Sequence, residues 1–265
     1  MIMFEKTLST FGYNPLELSS GSNKLVCVKC PDCNLEKETK RQYVKENWKC
    51  SRCAKSAIGK KNKKLEYDSS FFTYPTPLNS YWAGFLAADG WIIDTPRNKQ
   101  VSVQLDSKDK VHLELFASQV GFNGKLYEGM NDRGFSKTNP RPWTRLTVCG
   151  AAQWIKDLKE NFGIIPAKSL ILEPPTNLNH ECSIAFVCGL FDGDGYVETN
   201  KTMSFLGTSK VVSWIGTMVQ YPCSFGAFNS IFRLRFTKEQ TKDFVAQVDS
   251  RLPLLQRKWN KVLQR

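Results

Sequence analysis

The alternation of apolar and polar positions is clearest in the middle of the chain. Between Gln100 and Asp106, Val101, Val103 and Leu105 alternate with Gln100, Ser102 and Gln104, the pattern of a half-buried strand. Helical spacing follows in Val111, Leu115 and Phe116, predicting a helix over 111–120. Strands are expected over 125–128 and 141–148, and a helix over 151–161 that stops at Gly163 and Pro166. The same order then recurs: a strand over 202–206, a helix over 211–219, strands over 224–228 and 231–237, and a long helix from Glu239. In the last strand Phe232, Leu234 and Phe236 should face inward while Arg233 and Arg235 face out together. Each round is headed by a helix, so the unit reads α-β-β-α-β-β-α and occurs twice. The expected class is α+β, with antiparallel sheets related by a pseudo-twofold axis.

The heading helices are themselves a repeat. Tyr81-Trp82-Ala83-Gly84-Phe85-Leu86-Ala87-Ala88-Asp89-Gly90 matches Phe186-Val187-Cys188-Gly189-Leu190-Phe191-Asp192-Gly193-Asp194-Gly195 in pattern. Gly84 and Ala88, and Gly189 and Gly193, form stripes of small residues four apart, so two such helices can pack backbone to backbone. Gly90 and Gly195 suit the left-handed position that ends a helix. Asp89 and Asp194 then stand at helix C-termini, where the macrodipole disfavours an acid by roughly 0.3–1 kcal/mol. Either acid alone would read as a local cap. Together, on paired helices, they read as oxygen ligands for Mg²⁺.

Outward Gln, Ser, Thr and Arg on a twisted antiparallel sheet suit the major groove of DNA, although a solvated sheet face is the ordinary alternative. The candidates are Gln100, Ser102, Gln104, Arg141, Arg145, Thr202, Ser204, Arg233 and Arg235.

The first 70 residues differ in chemistry. Cys30/Cys33 and Cys50/Cys53 are two Cys-x-x-Cys pairs with the spacing of a four-thiolate Zn²⁺ site, and Cys27 is left outside it. The stretch Phe11 to Leu18 followed by Ser22-Asn23-Lys24 and these pairs resembles the zinc ribbons attached to phage and bacterial endonucleases. Lys29, Arg41, Lys45, Lys49 and Arg52 favour DNA as its partner. A basic run, Lys55, Lys60, Lys61, Lys63 and Lys64, has no apolar periodicity and reads as a linker. The expected division is therefore a ribbon over 1–56, a linker over 57–77, a first repeat over 78–172 and a second over 173–265.

Composition narrows the chemistry. The 265 residues carry 37 Lys+Arg against 25 Asp+Glu, a net charge of +12, which calls for a polyanionic partner. Two histidines cannot furnish a multi-imidazole centre, so catalysis would run on carboxylates, lysines and metal-bound water. Nine cysteines without a signal-peptide pattern predict an intracellular, unsecreted protein, and no apolar run reaches membrane-spanning length.

The paired motifs resemble the signatures of single-chain LAGLIDADG homing endonucleases over residues 78–265. The second motif keeps the family ending as Asp192-Gly193-Asp194-Gly195, while the first reads Ala87-Ala88-Asp89-Gly90. The resemblance implies that Asp89 and Asp194 bind the catalytic metal, assisted by the carbonyls of Ala88 and Gly193. Both DNA strands would be cut across the minor groove, leaving 3′ overhangs. It also implies that Lys108 and Lys210 serve catalysis, and that Lys168 in Pro-Ala-Lys-Ser and Lys258 in Gln-Arg-Lys-Trp belong to the DNA-contacting set. Two unlike halves in one chain imply a monomer with a long asymmetric site. The alternatives are an RNA maturase or non-cleaving DNA-binding protein on the same fold, and a zinc-ribbon interaction module whose body is only a scaffold.

Overall fold

A computed structural model describes residues 1–61, 65–131, 139–218, 224–228 and 231–263, so Lys63, Lys64 and Val219 lie outside the described residues. The chain divides into two compact units, Met1–Lys64 and Leu65–Arg265.

The first unit begins with α1 (Phe4–Phe11), which Gly12 ends in the left-handed conformation at φ 74°. A hairpin of β1 (Leu25–Lys29) and β2 (Glu36–Lys40) follows, then α2 (Ser51–Lys61). The basic run was expected as linker from residue 57, but α2 continues through it to Lys61.

In the second unit the chain packs on the body well before residue 78. Phe72 is fully buried against Trp154, with ring centroids 5.0 Å apart, and the Trp154 indole donates to the Asp68 carbonyl at 2.8 Å. Residues 65–76 therefore belong to the body rather than to a linker.

The first heading helix is α3 (Pro77–Asp89). Thr76 and Asn79 form a reciprocal capping box at its start, and Pro77 sits in the first turn, where its missing N–H costs nothing. Then come β3 (Gly90–Asp94), β4 (Lys99–Asp106), α4 (Lys110–Gln119), β5 (Tyr127–Asn131), β6 (Arg141–Cys149) and α5 (Ala152–Phe162). The second repeat runs α6 (His180–Asp194), β7 (Tyr196–Val197), β8 (Met203–Gly207), α7 (Ser209–Met218), β9 (Ser224–Phe228), β10 (Ile231–Arg235) and α8 (Lys238–Ala246). The two sheets have the same antiparallel strand order, β3-β4-β6-β5 and β7-β8-β10-β9. The expected α-β-β-α-β-β-α unit is thus present twice. The strand directly after each motif is the one that the alternation did not delimit.

The helix expected to run on from Glu239 is interrupted. It ends as α8 at Ala246, and α9 (Gln256–Leu263) begins only after Leu252-Pro253-Leu254. Proline lacks the N–H an interior turn needs and disfavours helical backbone in the residue before it.

One core serves both repeats, with Trp82, Phe85, Phe116, Trp154, Phe186, Phe191, Phe205 and Phe244 all fully or almost fully buried. Its centre is the crossing of α3 and α6. A Cβ on Gly84 would lie 1.9 Å from the Phe186 carbonyl oxygen, and one on Gly189 would lie 1.9 Å from that of Tyr81. Both small-residue stripes therefore meet as anticipated, and the neighbours are rigid backbone.

Gly90 and Gly195 contradict the expected left-handed caps. Both are extended, at φ −85° and −73°. They are small because a Cβ would come within 2.6 Å of the Leu86 carbonyl oxygen and 2.5 Å of that of Phe191. Glycine here permits a sharp turn from helix directly into strand.

Gly84→Ala and Gly189→Ala should each destabilise by about 3 kcal/mol or more, since the clash is with backbone. Gly207→Ala, whose nearest contact would be an ordinary 3.6 Å, should shift the thermal midpoint far less. Thermal denaturation of the three variants checks this, and equal midpoints would refute the close crossing.

Candidate active site

The crossing delivers both helix C-termini to one place. Asp89 ends α3 and Asp194 ends α6, and a Cβ built on Gly193 would stand 3.4 Å from Asp89 Oδ2. Among the described residues neither carboxylate has a hydrogen-bond or ion-pair partner. Burial pushes Asp89 up to about 6, the Asp194 charge adds to this, and Lys258, Lys168 and Arg257 oppose it. Asp194 is exposed by surface area, yet the protein packed behind it still raises its carboxyl, against the pull of Lys258 and Lys168. Two adjacent carboxylates, each held above its ordinary range and neither neutralised, make a donor set that fits a hard divalent cation.

The lysines around the acids are not the pair expected to act there. Lys108 is largely exposed and lies 3.4 Å from Asp106, and exposed Lys210 pairs with Glu173. Lys168 and Lys258, expected as DNA contacts, are instead only 6% and 8% exposed. Lys168 Nζ donates to the Gly90 carbonyl, and Lys258 Nζ donates to those of Phe191 at 2.8 Å, Gly193 at 2.9 Å and Gly195 at 2.7 Å. These ammonium groups bind the carbonyl-rich ends of the motif helices, where a cation is favoured. Burial nevertheless lowers both, Lys258 to about 8. The Gly193 carbonyl, anticipated as a metal donor, is thus already engaged by Lys258. Ala88 lies at the helix crossing, with its Cβ against Gly193.

Asp192, the acid that the first motif replaces with Ala87, is 1% exposed and organises the second repeat. It accepts from Tyr81 Oη at 2.6 Å, the Trp259 indole at 2.8 Å and the Leu255 N–H at 2.8 Å. His112 Nε2 lies 3.0 Å from the same Tyr81 hydroxyl, and burial holds this imidazole down to about 4, hence neutral. The motif pattern singles out Asp192, whereas only the tertiary fold reveals its partners.

The open sheet faces divide the expected DNA contacts into two kinds. Ser102, Thr202 and Ser204 are almost completely buried. Ser102 bonds Thr147 at 3.0 Å and Ser204 bonds the Tyr196 carbonyl at 3.3 Å, each across paired strands, while Thr202 bonds Asn200 at 2.7 Å in the turn before β8, so these hydroxyls are engaged within the protein rather than projecting from it. Gln100 is part-buried and donates to Ser102 at 2.8 Å. Arg141 and Arg235 are exposed, and Arg233 is half-buried. Arg235 lies 3.3 Å from Glu198. Arg145 is held by the Gln104 carbonyl oxygen at 2.6 and 3.0 Å, with its guanidinium 5.2 Å from the Trp91 ring centroid and 4.6 Å from that of Trp143. The apolar pattern gives no hint of these two tryptophans on the open face. Gly129 admits Trp143, since a Cβ there would meet its ring at 2.4 Å.

In the first unit, Cys30, Cys33, Cys50 and Cys53 bring their sulfurs within 4.8 Å of one another, with Cys33 and Cys50 3.7 Å apart. A tetrahedral Zn²⁺ with bonds of about 2.3 Å has sulfur edges of about 3.8 Å, so the cluster fits a small zinc ribbon. The Cys50 N–H donates to Cys30 Sγ at 3.5 Å and pulls that thiol down to about 6. Asn34, left-handed at φ 57°, closes the first turn. Cys27 is buried in β1 and belongs to no such cluster among the described residues.

No protein-family model and no curated protein matches the sequence. Solved structures do. The homing endonuclease I-WcaI bound to its DNA recognition sequence is similar over 82% of this chain and 96% of its own, at 11% identity and a TM-score of 0.51. The I-LtrWI LAGLIDADG homing endonuclease bound to target DNA is similar over 69% and 87%, at 12% identity and a TM-score of 0.46. The duplicated unit and its paired motif helices thus share the fold of the homing endonuclease I-WcaI, here with a four-cysteine module before it. No helix among the described residues is long and apolar enough to cross a membrane.

An acid whose folded pKa is raised contributes stability below its unfolded value of about 4 and loses it as pH rises through about 6. Without added Mg²⁺, Asp89→Asn should therefore be more stable than the parent at pH 8, by on the order of 2 kcal/mol, with the advantage gone near pH 4. Thermal midpoints at the two pH values check this, and an equal gain at both would refute it. Cys33→Ser should lose zinc measured by mass spectrometry, while Cys27→Ser keeps about one ion per chain.

Proposed function

We propose that this protein is a site-specific endonuclease that hydrolyses one phosphodiester in each strand of double-stranded DNA, using divalent metal held at Asp89 and Asp194. The observation that carries the reading is the pair of unneutralised carboxylates where α3 and α6 end, flanked by buried Lys168 and Lys258. Bound Mg²⁺ would supply the Lewis acid that activates water and stabilises the leaving 3′-oxygen. Asp89 and Asp194 hold that charge, with the Ala88 carbonyl as a further donor. Lys168 and Lys258 keep positive charge beside the acids and fix the carbonyl ends from which they project. Lys108 and Lys210, exposed and in surface ion pairs with Asp106 and Glu173, serve as phosphate contacts.

The sheet faces are the DNA surface in this reading. Arg145 with Gln104, Arg141, Gln100, Arg233 and Arg235 contact the duplex, while Ser102, Thr202 and Ser204 support it from within. Fold similarity to an enzyme bound to its recognition sequence supports double-stranded DNA as the partner. The two halves present different side chains, so the target is long and asymmetric, a monomer suffices, and the products carry 3′ overhangs. The cysteine module holds a structural Zn²⁺ and adds basic contact surface through Lys29, Arg41, Lys45, Lys49 and Arg52.

Incubation with a plasmid library of random inserts in Mg²⁺ should yield double-strand breaks at one recurrent sequence. Ca²⁺ should support binding without cutting. Asp89→Asn and Asp194→Asn should each cut at least about 10³-fold more slowly, the scale of losing a principal electrostatic group. Specific binding with no break in Mg²⁺ would overturn the nuclease reading in favour of a DNA-binding protein or maturase.

A further inference from the structure

Lys168 and Lys258 make the same kind of contact in the two repeats, but they are held by different means. Lys168 begins a tight turn whose carbonyl accepts from Ile171 N–H at 2.9 Å and Leu172 N–H at 2.8 Å. The Leu172 carbonyl is in turn bonded by Thr208 Oγ1 at 2.7 Å. The preceding residue is Ala167, left-handed at φ 55°. Lys168 is therefore placed by backbone.

Lys258 is placed by side chains. The segment 255–259 is tied to Asp192 through the Leu255 N–H and the Trp259 indole, both at 2.8 Å. Arg257, next to the lysine, reaches the other repeat. Its Nε donates to both oxygens of Asp109, at 2.7 and 2.9 Å, and Asp109 is buried at the turn before α4. In the first repeat Ala167 occupies the place of Arg257, so this tie exists on one side only.

We infer that Asp109 and Arg257 are positioning residues for Lys258: the first repeat sets the lysine that the second repeat contributes to the acid pair. The inference rests on the endonuclease reading for its catalytic consequence, but the positioning itself is independent of any activity. Asp109 touches neither Asp89 nor Asp194, and its bond restricts Arg257 to one direction. Arg257 lies in the first turn of α9, the turn that also carries Lys258, so its bond to Asp109 anchors that turn to the first repeat. A buried carboxylate that takes one charged N–H between its two oxygens is a charge-assisted tie, stronger than a neutral hydrogen bond.

Two measurements test it. The first is amine labelling by an activated ester, read by mass spectrometry on the full chain. Lys258 should be protected in the parent and labelled at least about tenfold faster in Arg257→Ala and Asp109→Asn, as expected when a local tie opens. Lys168 should stay protected, which shows that the fold and the rest of the site survive. The second is the single-turnover cleavage rate with affinity measured in Ca²⁺. Both variants should cut about 10- to 100-fold more slowly at unchanged affinity, the scale of a misplaced group, and Arg257→Lys should recover part of the rate. In a Lys258→Met background, Arg257→Ala should cost nothing further.

Asp109→Asn separates positioning from a direct effect of the arginine charge, because it leaves that charge in place. Unchanged Lys258 labelling in both variants would overturn the inference. So would a cleavage loss of equal size with and without Lys258. Altered labelling in a protein whose parent cuts no DNA would uphold the positioning and refute the endonuclease reading alone.

Discussion

The contact between the backbones of α3 and α6 governs the whole second unit. Each helix carries a glycine where its partner's carbonyl approaches, and nothing larger than hydrogen fits at either place. That approach fixes the separation of the two repeats, sets their near-symmetric sheets side by side around one core, and brings both helix ends together. The acids are neighbours because the helices are in contact, and no loop has to deliver them.

The same packing creates an electrostatic problem. Two carboxylates at two helix C-termini face both each other and the carbonyl ends of the dipoles, in partly desolvated surroundings. The protein answers on the carbonyls rather than on the carboxylates. Lys168 and Lys258 bond backbone oxygens at Gly90, Phe191, Gly193 and Gly195, which offsets the dipoles while leaving the acid oxygens without partners. Neutralising the carboxylates directly would have given a more stable protein and a poorer cation site. Under the endonuclease reading, stability is conceded here to keep the acids available, in line with the general behaviour of functional sites.

Much of this was legible in the chain. Local periodicity gave most strands and helices, the small-residue stripes gave the crossing, and the repetition of Asp-Gly gave the acid pair. Cysteine spacing picks out Cys30, Cys33, Cys50 and Cys53, and the better turn of Cys30-Pro31-Asp32-Cys33 sets aside Cys27, which stands at the same spacing from Cys30. What escaped was whatever depends on tertiary proximity. A lysine in sequence is a flexible cation, and nothing in Pro-Ala-Lys-Ser or Gln-Arg-Lys-Trp says that its ammonium is buried on carbonyl oxygens while Lys108 and Lys210 remain in surface ion pairs. Ser102, Thr202 and Ser204 alternate correctly for an open face, yet all three are buried and bonded within the protein. The glycines that close the motifs suggest the commonest helix ending, although their backbone is extended and their smallness answers a contact. The first strand of each repeat is hidden because it starts at or immediately after the motif's closing glycine.

The Trp91–Arg145–Trp143 stack has a consequence for how the sheet meets a ligand. An arginine free in solvent samples many rotamers, and fixing one on binding forfeits up to about 2 kcal/mol of side-chain entropy. Here two indole faces and the Gln104 carbonyl have already fixed the guanidinium, and Gly129 leaves the room that one of those indoles needs. A group held this way meets its partner as a rigid template. It gains in discrimination what it gives up in adaptability, so the first repeat should tolerate less variation in the surface it contacts than an array of mobile side chains would.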